Sequence, residues 1–231
     1  MDKIAEFISQ CGKENFHPMY RGQANIDWPL TPSIGRLLEN MNKKVRYSDW
    51  LGFEQSLLTD FQRLSTPYLK YSPNSRIEWL VEAQHYGLAT PLLDWSSSPL
   101  KALYFAVEKK EEDHIDGVVY IIEPRSVSLS PKSLDSYRHL EFYYPKHTNE
   151  RLIAQDALFT IFPYPETLVK LDDLRESNCF SHQSLRSIRT IKIDSVNKPN
   201  LREQLNILGI NHMSMYPGIE GVTKHIMNSY K

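Results

Sequence analysis

A chain of 231 residues with 41% hydrophobic and 24% charged side chains has the composition of a globular protein, with enough apolar material for one large domain or two small ones. Its formal net charge of −1 excludes a global basic field that would draw in nucleic acid or an anionic membrane. From Ser181 to Lys231 seven Lys and Arg stand against three acids, a mild bias that reads as a solvated face.

The apolar spacing of Ile4, Phe7 and Ile8 predicts a short helix over 3–11. Residues 18–23 (PMYRGQ) read as a strand ending in a glycine turn, and the two prolines of 27–35 read as an ordered loop. Phe53, Leu57, Phe61 and Leu64 recur at helical spacing and predict a long helix over about 49–65. A turn at 71–75 leads to a helix over 76–86, stopped by Gly87. Residues 88–93 read as a strand, after which Ser97 or Ser98 caps a helix with Pro99 in its first turn. Leu100, Leu103, Tyr104 and Val107 form that helix's buried stripe. GVVYIIE (117–123) is a β-branched, central-looking strand, and 124–148 read as irregular. Further strands are expected at 157–162 and 188–193, and helices near 199–208 and 219–229. Without a regular βαβ rhythm the pattern favours an α+β fold.

Cys11 and Cys179 fit neither a disulfide framework nor a zinc pattern and read as free thiols of a reducing compartment. The opening MDKIAEFISQ is unlike a signal peptide, and no stretch approaches the ~18 apolar residues of a membrane span. A cytoplasmic location and no membrane partner are expected. The eight histidines are scattered and no His-x-x-His occurs, so no metal is expected. No P-loop, G-x-G-x-x-G or G-x-S-x-G is present, which leaves NTPase, Rossmann and hydrolase readings without support.

Four segments carry candidate chemistry. In Tyr20-Arg21-Gly22-Gln23, an arginine at a strand end can fork onto a phosphate or carboxylate, and glycine lets a ligand lie against bare backbone. The plain alternative is a surface strand with an ordinary turn. In Asp94-Trp95-Ser96-Ser97-Ser98-Pro99, hydroxyls and free N–H groups at a helix start suit an anion, and Trp95 can stack on a base. The alternatives are a simple cap and a core tryptophan. Glu82, Gln84, His85 and Tyr86 lie one helical turn before the strand expected at 88–93, and His85 is either an acid–base group or a hydrogen-bonded structural histidine. Glu150, Arg151, Gln155 and Asp156 precede the strand ALFTIF and either face a cleft or form a short solvated helix.

Tyr20-Arg21-Gly22, AQHYGLATPLLDWSSSPLKALYFAVE (83–108), NERLIAQDALFTIF (149–162) and GINHMSMYPGIEGV (209–222) together resemble the FRG domain, a family named for its Phe/Tyr-Arg-Gly tripeptide. The resemblance spans about 20–222 and implies a single domain over 1–231. A looser resemblance links the chain to ADP-ribosyltransferases, which bind NAD with an arginine strand, a serine-rich strand–helix segment and a Glu-centred strand start. It implies an α+β fold with a split mixed or antiparallel sheet flanked by helices, and NAD as substrate. Arg21 would then bind the phosphates or ribose of NAD and Gly22 its nicotinamide amide. Ser97 and Ser98 would shape the nicotinamide pocket, with Tyr104 on the following helix. Tyr20, Gln23, His85, Asp94 and Trp95 join the candidate binding set.

The third motif departs from that pattern, since Gln155 stands where a glutamate is expected. Gln155, Asp156 and Glu150 are the catalytic candidates, with Asp94 a more distant carboxylate. The resulting expectation is transfer of ADP-ribose to a protein or nucleic-acid acceptor, or NAD cleavage, by a bacterial toxin or phage-defence effector with a neutralising antitoxin as partner. The alternative is a noncatalytic sensor module that uses the same cleft for a nucleotide or a partner.

Overall fold

The computed structural model describes residues 2–12, 17–39, 47–129, 139–146, 149–171, 173–175 and 184–230. Cys179 and most of the central part of 124–148 lie outside the described residues. The helices are α1 (Ile4–Cys11), α2 (Ser33–Glu39), α3 (Trp50–Ser65), α4 (Arg76–His85), α5 (Pro99–Val107), α6 (Glu150–Ala154), α7 (Lys198–Ile207), α8 (His212–Met215) and α9 (Ile219–Ser229). The strands are β1 (Met19–Gln23), β2 (Leu92–Ser96), β3 (Gly117–Pro124), β4 (Glu141–Tyr143), β5 (Ala157–Ile161) and β6 (Leu185–Ile193). They form one sheet in the order β4-β5-β2-β1-β3-β6, every neighbouring pair antiparallel.

Local chemistry sets the element ends. Asp49 Oδ1 accepts from Gly52 N at 2.8 Å and starts α3. Ser75 Oγ accepts from Glu78 N and starts α4, while Gly87 ends it at φ +87°. Ser98 caps α5, with Pro99 in the first turn. Several elements differ from the sequence expectation: β2 starts only at Leu92, β4 falls within the stretch 124–148 expected to be irregular, β6 starts at Leu185, α8 was not expected, and two further differences bear on the site. β2 runs through Asp94-Trp95-Ser96 rather than stopping before it, because these residues pair with Phe159, Leu158 and Ala157. The segment around 27–35, expected to be a loop, already starts α2 at Ser33, whose hydroxyl exchanges hydrogen bonds with the backbone of Thr90.

Alternation along the strands divides the apolar side chains between two faces. Met19, Leu93, Trp95, Val118, Tyr120, Phe142 and Leu158 share one cluster that runs across the whole sheet. The opposite face carries two separate clusters. Under α1, α5 and α7 lie Tyr20, Val119, Ile121, Ile191 and Ile193. Under α3 and α4 lie Leu92, Tyr143, Ala157, Phe159 and Ile161.

The seam between these two helix layers follows the weakest join in the sheet. β1 and β3 are in register over five residue pairs and β2 and β5 over five, whereas β1 and β2 meet at a single pair, Tyr20 with Ser96. Beyond that rung the strands part, and a cleft opens between them.

Candidate functional site

A cleft of about 210 Å³ occupies the seam. Its floor is Tyr20, Arg21 and Gly22 from β1, Asp94, Trp95 and Ser96 from β2, and Ala157 and Phe159 from β5. Its walls come from α4 (Val81, Gln84, His85), α5 (Phe105), and α6 with the turn after it (Arg151, Leu152, Gln155). The lining joins an apolar wall suited to a ring with a few convergent polar groups, the usual composition of a small-molecule site.

Arg21 is the most constrained of these residues. By register it starts on the face of Met19 and Gln23, yet its guanidinium reaches the seam, where Nη1 donates to the main-chain carbonyl of Asp94 at 2.6 Å. Its side chain is 16% exposed, and the Asp94 carboxylate lies 3.8 Å away. Burial lowers its pKa, against the opposing pull of Asp94. Nε is buried and has no hydrogen-bond partner among the described residues.

Asp94 is held in place from α4. Gln84 Nε2 donates to Asp94 Oδ1 at 2.6 Å, and Thr90 Oγ1 donates to Gln84 Oε1. Thr90, Gln84, Asp94 and Arg21 therefore form one chain from the core to the cleft mouth. His85, one residue on, has its pKa lowered by burial and then by the charge of Arg151, so it faces the cleft as neutral imidazole.

The three serines join segments. Ser96 Oγ donates to the carbonyl of Gln155 at 2.7 Å and accepts from Ser98 N at 3.1 Å. Ser97 N donates to the carbonyl of Asp156 at 3.0 Å, and Ser98 caps α5. Of the three, Ser96 lines the cleft, and Ser97 and Ser98 sit outside its lining. Gln155 lines the cleft, and its Nε2 donates to the carbonyl of Met215 at 3.1 Å.

Asp156 adopts a left-handed backbone (φ 45°), a conformation that aspartate tolerates, and its carboxylate pairs with Lys101 Nζ at 2.6 Å, away from the cleft. Glu150 is exposed in the first turn of α6 and does not line the cleft. Asp94 is thus the only carboxylate in the lining among the described residues. Gln23 is buried below the floor, with Nε2 directed at the Pro29 carbonyl.

Gly22 is required by packing. A Cβ built there would lie 1.8 Å from the carbonyl oxygen of Ala102 and 2.7 Å from the nitrogen of Ala106. The backbone of α5 fills the space a side chain would occupy, so that side of Gly22 is closed to a ligand.

Tyr104 lies behind the cleft wall. Its hydroxyl is 3.1 Å from His212 Nδ1, and burial followed by the nearby Glu108 raises its pKa. Tyr216 donates to Glu108 at 3.1 Å, stacks on His212, and carries Arg151 over its ring at 5.0 Å. Val81, Phe105, Leu152, Ala157 and Phe159 are lining residues that sequence reasoning did not single out, whereas Gln84, Ser96 and Arg151 stood in the candidate segments without a role of their own. Arg151 was visible as the one cation of a block that precedes a buried strand. The contact with Tyr216, 65 residues later in the numbering, had no local signal.

Residues 17–114 match the FRG domain family. The matched segment takes in the strands of Arg21 and Asp94. The FRG segment ends before β3, so β5, α6 and the C-terminal wall of the cleft lie beyond it. No curated protein and no solved structure matches the chain. No group of three or more His, Cys, Asp or Glu among the described residues could hold a metal, and none of the described helices is long and apolar enough to cross a membrane.

Proposed function

We propose that the cleft binds NAD and that the protein is ADP-ribosyltransferase-like, transferring ADP-ribose to a macromolecular acceptor or cleaving NAD. One observation carries this reading: the arginine strand, the serine-rich strand–helix segment and the Gln155 turn, distant in sequence, come together around a single cleft on the neighbouring strands β1, β2 and β5. Two guanidinium groups against one carboxylate in the lining favour an anionic ligand, and Val81, Phe105 and Phe159 offer apolar surface to a ring.

Breaking the nicotinamide–ribose bond sends the bonding pair out with nicotinamide and leaves positive charge on the ribose. Asp94 is the carboxylate available to stabilise that charge. An acceptor hydroxyl or water then bonds to the ribose carbon, and its proton passes to the neutral imidazole of His85. Ser97, Ser98, Glu150 and Asp156 act in this scheme through the fold.

A noncatalytic nucleotide sensor is the second reading. It is favoured by Gln155, whose amide is committed to Met215, and by the placement of Glu150 and Asp156 outside the lining. Incubating purified protein with NAD, alone and with cell extract, and measuring released nicotinamide separates the two. Release expected of the enzyme would be absent under both conditions for a sensor that still binds NAD.

A further inference from the structure

The C-terminal segment Asn211–Tyr216 lies outside the FRG match, yet it touches the cleft through two of the lining residues. Met215 receives the Gln155 amide, and Tyr216 supports Arg151. The Tyr216 ring is itself fixed on three sides. Its hydroxyl donates to Glu108, His212 stacks on it at 4.4 Å, and Phe105 meets it edge-on at 6.4 Å. A guanidinium over such a ring is oriented without losing its charge or its donors, because a π face takes up no N–H hydrogen bond of full strength.

Arg151 has no carboxylate or hydrogen-bond partner for its side chain among the described residues, although it lines the cleft. Arg21, on the cleft floor, has an unpartnered and buried Nε. Two guanidinium groups on different elements therefore bring uncommitted donors to one cleft. A single small anion offers one charged group, whereas two linked phosphates offer one for each guanidinium.

We propose that Arg151, positioned by Tyr216, is a second anion-binding residue of the cleft, and that the ligand contains a nucleoside diphosphate with one phosphate toward Arg21 and the other toward Arg151. This rests on the nucleotide reading above and specifies its anionic part. Tyr216 is a positioning residue, acting on the ligand through Arg151.

The test is calorimetric titration of the full chain with ADP, AMP and adenosine. For Arg151→Ala, ADP affinity is expected to fall roughly tenfold to a hundredfold, the loss of one charge-assisted contact, with adenosine unchanged. Arg151→Lys keeps the charge without the flat stack and is expected to fall between. Tyr216→Phe keeps the ring and should bind ADP like the parent, while Tyr216→Leu should lose ADP affinity and keep adenosine affinity. A general structural defect would lower both ligands together.

Unchanged ADP binding in Arg151→Ala overturns the proposal, as does the absence of ADP binding by the parent. If Tyr216→Leu does not fold, Tyr216→Phe decides the positioning role, and an Arg151-sized loss in it overturns that role. ADP binding that depends on Arg151, without NAD binding or cleavage, would reject the NAD reading and leave the two-arginine grip standing.

Discussion

Arg21 Nη1 donates to the main-chain carbonyl of Asp94 at 2.6 Å, across the gap where β1 and β2 stop pairing. A side chain thus supplies the cross-strand hydrogen bond that the ladder no longer makes. The guanidinium has further donors, and they point to what Arg21 does when a ligand is present.

Arg21→Ala is expected to weaken NAD binding by about 1.5–3 kcal/mol, the scale of a charge-assisted hydrogen bond. Calorimetry on the folded variant checks this, and unchanged affinity would reject Arg21 as a ligand residue. Arg21→Lys should restore little, since an ammonium cannot bridge Asp94 and a phosphate with the same fork.

Asp94 is the carboxylate to which the transferase reading commits the chemistry. Asp94→Asn keeps a polar group beside Gln84 and removes the charge. Nicotinamide release should fall by about 10²–10³-fold, the effect of losing one preorganised electrostatic partner. Glu150→Gln and Asp156→Asn, outside the lining, should leave the rate unchanged. A rate set by either of those two, with Asp94→Asn active, would move the chemistry out of this cleft.

Gly22→Ala tests packing rather than binding. The added carbon collides with α5 backbone at 1.8 Å, and a helix cannot yield as a flexible side chain does. Overpacking of this kind costs about 1–3 kcal/mol or more. A lower urea midpoint is expected even without ligand, and an unchanged midpoint would show that α5 can shift at little cost.

Glu108 gives a pH dependence with a definite sign. Burial raises its pKa despite the hydrogen bond from Tyr216. The folded state therefore holds the proton more tightly than the unfolded chain does. That contribution is complete below the ordinary glutamate value of about 4.3 and is lost as pH rises through the raised folded value. Glu108→Gln removes this titration. Its stability should exceed the parent's near neutral pH, and the gap should close at about pH 4. Urea midpoints of both proteins across that range measure it, and a gap that widens on acidification would reverse the assignment.

Much of the scaffold was legible because its signals are local. Ser98-Pro99 specified the start of α5, Gly87 the end of α4, and the β-branched run of 117–123 a central strand. Arg21, Asp94 and Gln155 were nameable because distinctive polar residues interrupt or adjoin apolar runs. What escaped reading is long-range. The ends of β2 depend on partners in β5, more than sixty residues later. The serines of 96–98 looked like a ligand surface from their residue types, but the hydroxyls of Ser96 and Ser98 are committed to the Gln155 carbonyl and to the α5 cap. Gly22 looked like bare backbone for a ligand, and only the docking of α5 reveals the packing demand.

The single rung between Tyr20 and Ser96 leaves β1 and β2 as two edges inside what is otherwise one sheet. Edge strands present main-chain N–H and C=O groups without ladder partners, a surface proteins usually cover. Here those groups border the cleft. A ligand seated there can be gripped by peptide units that no alanine substitution removes. Variants stripped of both arginines should then keep a residual, salt-insensitive affinity, while their charge-dependent part disappears.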